Sequence, residues 1–142
     1  MKALKLTILA GFLVIGSGCA SGLNSQQKTE LRNFESRGLS VEEKNPGAGA
    51  ALGLLPGGGS FYGREYGFGA INLLLWPISI LWDPVSGYNA AESINYYSTK
   101  EHVRQLRKNE LDGLDEELKN GSVDLKAYAL EKSKIDAKYL MD

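Results

Sequence analysis

The chain has one cysteine and one histidine among its 142 residues. A single thiol excludes an internal disulfide, even in an oxidising compartment. A single histidine excludes most zinc sites and most imidazole-based acid–base chemistry. An excess of one charge is missing too, because 16 basic side chains stand against 17 acidic ones. Nucleic-acid binding needs a clustered basic face, so no nucleic-acid partner is expected. Prolines number only four, and all of them lie between Pro46 and Pro84. What is abundant is glycine, and it is segmented: nine of 17 fall between Gly47 and Gly69. The length is that of one small domain.

The N-terminus is built like an export signal. Lys2 and Lys5 supply positive charge, Leu6 to Ile15 is an almost unbroken apolar run, and Gly16-Ser17-Gly18 lead into Cys19. The run is too short to span a bilayer comfortably. This segment resembles the lipobox of bacterial lipoproteins, although Gly16 stands where that family usually carries leucine. The resemblance implies a signal peptide over residues 1–18, with diacylglycerol on the Cys19 thiol and cleavage before it. A further acyl chain such as palmitate would then cap the new amine. No cofactor is expected beyond that covalent lipid. Ala20 follows the cysteine, and by resemblance to enterobacterial sorting this points to the periplasmic leaflet of the outer membrane. The competing reading is an uncleaved signal anchor on an integral inner-membrane protein.

Three zones follow. Residues 19–45 are polar, with a short helix expected over 23–38 that carries Leu31 and Phe34 on one face and stops at Gly38. Residues 46–88 form an apolar hairpin rich in glycine and proline. Its second half, Tyr66 to Trp82, holds no charged residue across 17 positions. A helix of that length would rise about 25 Å, against a hydrocarbon core of roughly 30 Å. Pro77 also interrupts it, so a short, kinked or re-entrant element is expected, ending at Asp83-Pro84. Residues 89–142 read as a long amphipathic helix over 89–119, then a turn at Asn120-Gly121 and a final helix capped by Asp124. The long helix repeats Ile94, Tyr97, Val103, Leu106, Leu111, Leu114 and Leu118 at spacings near three and four, with a slip near Glu101.

The central stretch carries a second resemblance. Leu54-Leu55-Pro56-Gly57-Gly58-Gly59-Ser60-Phe61-Tyr62-Gly63-Arg64, then Gly69 and Leu73 to Asp83, is similar to the two-helix transmembrane domain called TM-two. Phe61-Tyr62 match its aromatic pair, Gly63 and Gly69 its turn glycines, and Trp82-Asp83 its terminus. The resemblance implies a hairpin turn and membrane interface formed by Pro56, Gly57, Gly58, Gly59, Phe61, Tyr62, Trp76, Trp82 and Asp83, with membrane lipid as partner. Arg64 and Glu65 are expected at a polar tip. The competing reading is a buried soluble hairpin whose glycines merely pack against neighbours. A phosphate cradle is excluded, because Pro56 to Ser60 supplies no lysine and no strand precedes it.

Leu114 to Ile135 resembles the SHOCT module, a short C-terminal helical pair. That resemblance implies association, with a second copy or with another envelope protein; the competing reading is an ordinary terminal helical hairpin that covers a local core. The acidic group Asp112, Asp115, Glu116 and Glu117 lacks calcium-loop spacing and reads as a solvated face. His102 has no positioned nucleophile. The expected fold is therefore mostly α: a short N-terminal helix, an apolar helical hairpin, a long amphipathic helix and a C-terminal helical hairpin. The expected function is that of a non-enzymatic, membrane-anchored lipoprotein without a metal site.

Overall fold

The computed structural model describes residues 22–139, so Cys19 and the expected signal peptide lie outside the described residues. The architecture is mostly α, with six α-helices, one 3-10 turn and no strand among the described residues. In chain order these are α1 (Ser25–Ser36), α2 (Pro46–Leu52), α3 (Gly58–Tyr62), α4 (Tyr66–Leu74), the 3-10 turn (Ile78–Leu81), α5 (Asp83–Lys119) and α6 (Leu125–Tyr139).

Helix α5 is the spine on which the rest is hung. Its 37 residues extend for about 55 Å at 1.5 Å per residue. It begins at Asp83, six residues before the start expected from the sequence, and Asp83-Pro84 opens a helix instead of closing one. The physical reason is that proline fits a first helical turn, where its missing N–H would have no partner and its fixed φ is already helical.

The buried face of α5 also differs from the expected stripe. Val103 and Leu114 are buried, but Tyr97 is 61% exposed. The N-terminal half instead buries Gly87, Ala91, Asn95, Thr99 and Val103, one residue every four positions. Two members of that row are polar because they bind backbone. The Asn95 carboxamide oxygen accepts the Glu43 and Lys44 N–H groups at 2.9 and 2.8 Å, and its nitrogen donates to the Lys44 carbonyl at 2.7 Å. Thr99 accepts the Val41 N–H at 2.9 Å. The linker between α1 and α2 is thus strapped along α5, and these backbone groups are paired without water.

Helix α1 starts with a reciprocal capping box between Asn24 and Gln27 and gives way to Gly38 at φ +68°. Leu31 packs with Leu23 and Tyr96, and Phe34 with Val103 and Tyr139. The two apolar residues of an otherwise polar helix therefore dock on α5 and α6. At the other end, α6 folds back on α5 after a turn through Gly121, with Asp124 accepting the Ala127 N–H at 2.7 Å. Arg107 donates to Asp136 at 2.8 Å, Lys138 and Tyr139 donate to Glu110 at 2.6 and 2.7 Å, and Tyr128 donates to Asp115 at 2.8 Å. Low residues pair with high ones throughout, which makes the hairpin antiparallel.

The short helices α2 and α3 lie against the start of α5 at backbone contact. A Cβ on Gly87 would sit 2.7 Å from the Gly59 Cα, and one on Gly59 would sit 2.5 Å from the Asp83 carbonyl oxygen. No real Cβ tolerates such distances, so this close approach requires glycine on both sides.

Candidate functional site

The apolar central segment has a polar heart. Asp83 is fully buried at the base of α5, and four donors converge on its carboxylate. The Gly59 N–H reaches Oδ2 at 3.0 Å. The Ser60 N–H, the Ser60 hydroxyl and the Asn72 amide reach Oδ1 at 3.1, 2.5 and 2.8 Å. Two of these donors are backbone N–H groups in the first turn of α3, which has Gly57 at its N-cap and no side-chain cap of its own. Asp83 therefore caps α3 from a distant part of the chain, where an anion also meets the positive end of the helix.

Asn72 extends the network. Its amide nitrogen also donates to Ser60 Oγ at 2.9 Å, and its oxygen accepts the Trp82 indole N–H at 2.9 Å. Both oxygens of the buried carboxyl group therefore accept hydrogen bonds, which offsets the cost of taking it out of water. It ties α3, α4 and α5 together at one point. The 3-10 turn between α4 and α5 adds Ser79, which is buried with no hydrogen-bond partner for its hydroxyl among the described residues.

Because the interior is filled by glycine and polar side chains, the large apolar residues face outward. Leu74 is 84% exposed and Leu81 79%. Leu73, Leu75, Ile78 and Val85 are exposed as well, and so are Leu54 and Leu55 on the preceding loop. Gly57, at the end of that loop, lies against Gly69 of α4, so the loop and α4 are neighbours. Trp76 and Trp82, 50% and 38% exposed, belong to the same uncharged run. The result is an apolar platform that carries no charged residue from Tyr66 to Trp82.

The site residues expected from the sequence separate into two sets. Pro56 to Gly59 do form the turn from α2 into α3, with Gly57 at φ +68°. Phe61 is exposed and its ring packs on Gly69, and both tryptophans are on the platform. Asp83 is fully buried at the start of α5, where four donors hold it. Tyr62 turns away from the platform: its hydroxyl accepts the Asn45 N–H at 2.9 Å, and the Lys44 ammonium sits 4.4 Å from its ring centroid. The expected polar tip is split. Arg64 is exposed, at φ +65°, and pairs with Glu43, which also accepts the Ser98 hydroxyl. Those contacts, Ser98 first and Arg64 second, hold the Glu43 carboxyl below the usual glutamate range. Glu65 instead turns inward, with both carboxylate oxygens buried and without a hydrogen-bond partner among the described residues. Burial, and then the charge of Asp83, pushes its pKa up. An open cleft of about 230 Å³ lies beside it, lined by Ala90, Ile94 and Tyr97 among others.

Sequence reasoning missed Ser60 and Asn72. The signal for Asn72 was present: one amide inside a 17-residue uncharged stretch must find partners or pay several kcal/mol, roughly 2–7 in an apolar setting. Among the described residues, no three His, Cys, Asp or Glu side chains are grouped to hold a metal ion, and no helix is long and apolar enough to cross a membrane. Asp112, Glu116 and Glu117 are exposed, whereas Asp115 receives the Tyr128 hydroxyl. Compared with protein-family models, curated proteins and solved structures, the chain matches none.

Proposed function

We propose that the protein is a non-enzymatic lipoprotein of the bacterial cell envelope, anchored by acyl chains on Cys19 and acting through protein or lipid contacts. The observation that carries this reading is the signal-type segment running from Lys2 through Gly16-Ser17-Gly18 to the only cysteine. An anchor of three acyl chains holds almost permanently, since two lipid signals already suffice. The outward-facing apolar residues of α4, the 3-10 turn and α5 support lipid contact. Leu125 and Leu130, exposed on α6, support protein contact at the opposite end of the molecule's long helix.

Intact mass of the protein extracted from envelope membranes tests the reading. A chain that begins at Cys19 and carries a diacylglycerol and an amide-linked acyl chain is expected. Replacement Cys19→Ala should abolish both processing and acylation. A mass that retains residues 1–18 without lipid would instead favour an integral inner-membrane protein with an uncleaved anchor. Separation of inner from outer membranes then tests the outer-membrane placement expected from Ala20.

A further inference from the structure

We infer that the apolar platform is itself a membrane-docking surface, lying in one leaflet of the bilayer that holds the lipid anchor. The inference rests on the lipoprotein reading and adds a second, independent membrane contact made by folded protein. Three observations carry it. First, the platform is continuous with the place where the chain leaves the described structure. A Cβ on Gly22 would meet the Asn89 side chain at 2.9 Å. Asn89 lies on the same face of α5 as the exposed Val85, four residues earlier. Cys19 is three residues before Gly22, and three extended residues reach at most about 10 Å. Acyl chains on that cysteine therefore enter the bilayer beside the platform, and they hold it at the lipid surface.

Second, the composition suits an interface. Leu74 and Leu81 are the most exposed of its residues, and Trp76 and Tyr66 are exposed rings with a polar edge of the kind that settles at headgroup level. Third, the elements are too short to cross. Helix α4 has nine residues and the 3-10 turn four, so their backbone ends would be stranded in hydrocarbon if they were pushed through. Shallow burial of side chains, with the backbone held at the boundary, satisfies both constraints.

Trp76 and Trp82 are the protein's only tryptophans, and they report on the surface directly. The mature lipidated protein is reconstituted into phosphatidylethanolamine–phosphatidylglycerol vesicles whose acyl chains are brominated either near the headgroup or near the chain end. Loss of most of the tryptophan emission with shallow bromines, and much less with deep ones, is expected. The variant Leu74→Glu/Leu81→Glu should keep its circular dichroism, since both residues are solvent-exposed, and should escape quenching. The same chain exported behind a signal cut without lipidation, with Cys19→Ser, should still partition into vesicles. The double variant should lower that partitioning roughly a hundredfold, since each leucine is worth at least about a factor of ten.

Acylated protein whose tryptophans stay unquenched would overturn the docking surface and leave the anchor standing. Quenched, vesicle-bound protein with no acyl group in its mass would do the reverse. A dimer of the unlipidated chain that the double variant dissolves, with no vesicle binding, would assign the platform to a second copy and overturn the inference.

Discussion

Replacing Asp83 by alanine tests whether the central segment is held by its polar interior. The substitution strands the Gly59 N–H, the Ser60 N–H and one of the two Asn72 amide hydrogens, which now donate to the carboxylate. The Ser60 hydroxyl can rotate to another acceptor, but the other three are fixed by backbone or by Trp82. Each stranded buried donor costs about 1–3 kcal/mol, so the sum is about 3–6 kcal/mol after some relaxation. A domain of this size has about 5–15 kcal/mol in total, and Asp83→Ala should leave it marginal. Asp83→Asn is milder. Its carbonyl can occupy the position of Oδ1, which carries three of the four bonds, but its amide then faces the Gly59 N–H, donor against donor. One such conflict and the lost charge assistance come to about 2–3 kcal/mol. Urea unfolding followed by circular dichroism and by tryptophan emission measures both. With m of about 1–3 kcal/mol per molar, the alanine midpoint should fall by about 1 M or more. The emission should also change before unfolding, because the Trp82 indole hangs on Asn72. Both variants unfolding within about 0.5 kcal/mol of the parent would refute the account, since that is the range of ordinary surface changes.

Two glycines in α5 should respond oppositely to alanine. Gly87→Ala forces a Cβ into the Gly59 and Gly49 backbone and should destabilise by about 2 kcal/mol or more. A Cβ on Gly113 meets nothing within 4 Å, so Gly113→Ala should stabilise by about 0.5–1 kcal/mol, read as a rise in thermal midpoint. Glu65 is expected to make the protein more stable in acid. Its raised pKa means that the stabilising effect of the neutral form is complete below pH 4.5, the ordinary glutamate value, and is lost as pH rises through the raised one. Glu65→Gln should flatten that fall and raise the midpoint at neutral pH, as thermal melts across pH will show. Glu110 has the opposite sign, because the bonds from Lys138 and then Tyr139 lower its pKa. Its contribution is present above pH 4.5 and lost as pH falls through the lowered value. Glu110→Gln should speed amide exchange in α6 at neutral pH, with the difference shrinking in acid.

How far the sequence was legible depended on whether a signal was local. Asp124 as a cap, Gly38 and Gly121 as stops, and Leu31 with Phe34 as one apolar face all declare themselves within one turn of chain, and each is found as expected. The antiparallel terminal hairpin follows from the same kind of signal. The start of α5 was misread because Pro84 serves equally well as a terminator and as a first-turn residue. What decides between them is the set of donors on Asp83, which comes from residues 11 to 24 positions away. The buried row of α5 was misread for a related reason: Asn95 and Thr99 are interior because they bind the linker backbone, and hydropathy cannot register that. At the candidate site, the outward leucines and tryptophans were legible as an apolar run. Ser60 and Asn72 were not recognised, because their value lies in a partner remote in sequence.

The inversion at this site has a consequence for how the segment can serve at a lipid boundary. A conventional core is held by transferring apolar side chains out of water, and it loses that driving force if its surroundings become apolar too. Here the contacts that join α3, α4 and α5 are hydrogen bonds to Asp83 and backbone contacts between Gly49, Gly59 and Gly87. Neither depends on water outside. Hydrogen bonds shielded from water strengthen as the local dielectric falls, and the glycine contacts are a matter of shape alone. Leu74, Leu81 and Trp76 are correspondingly free of structural duty, so they can exchange water for acyl chains without the segment having to refold. On the proposed docking, a platform of this construction would meet lipid as a rigid body. The unlipidated protein should therefore show the same far-ultraviolet circular dichroism with and without vesicles. A gain of helix on binding would mean instead that the segment inserts by unfolding its polar centre, and the rigidity argued from Asp83 would be wrong.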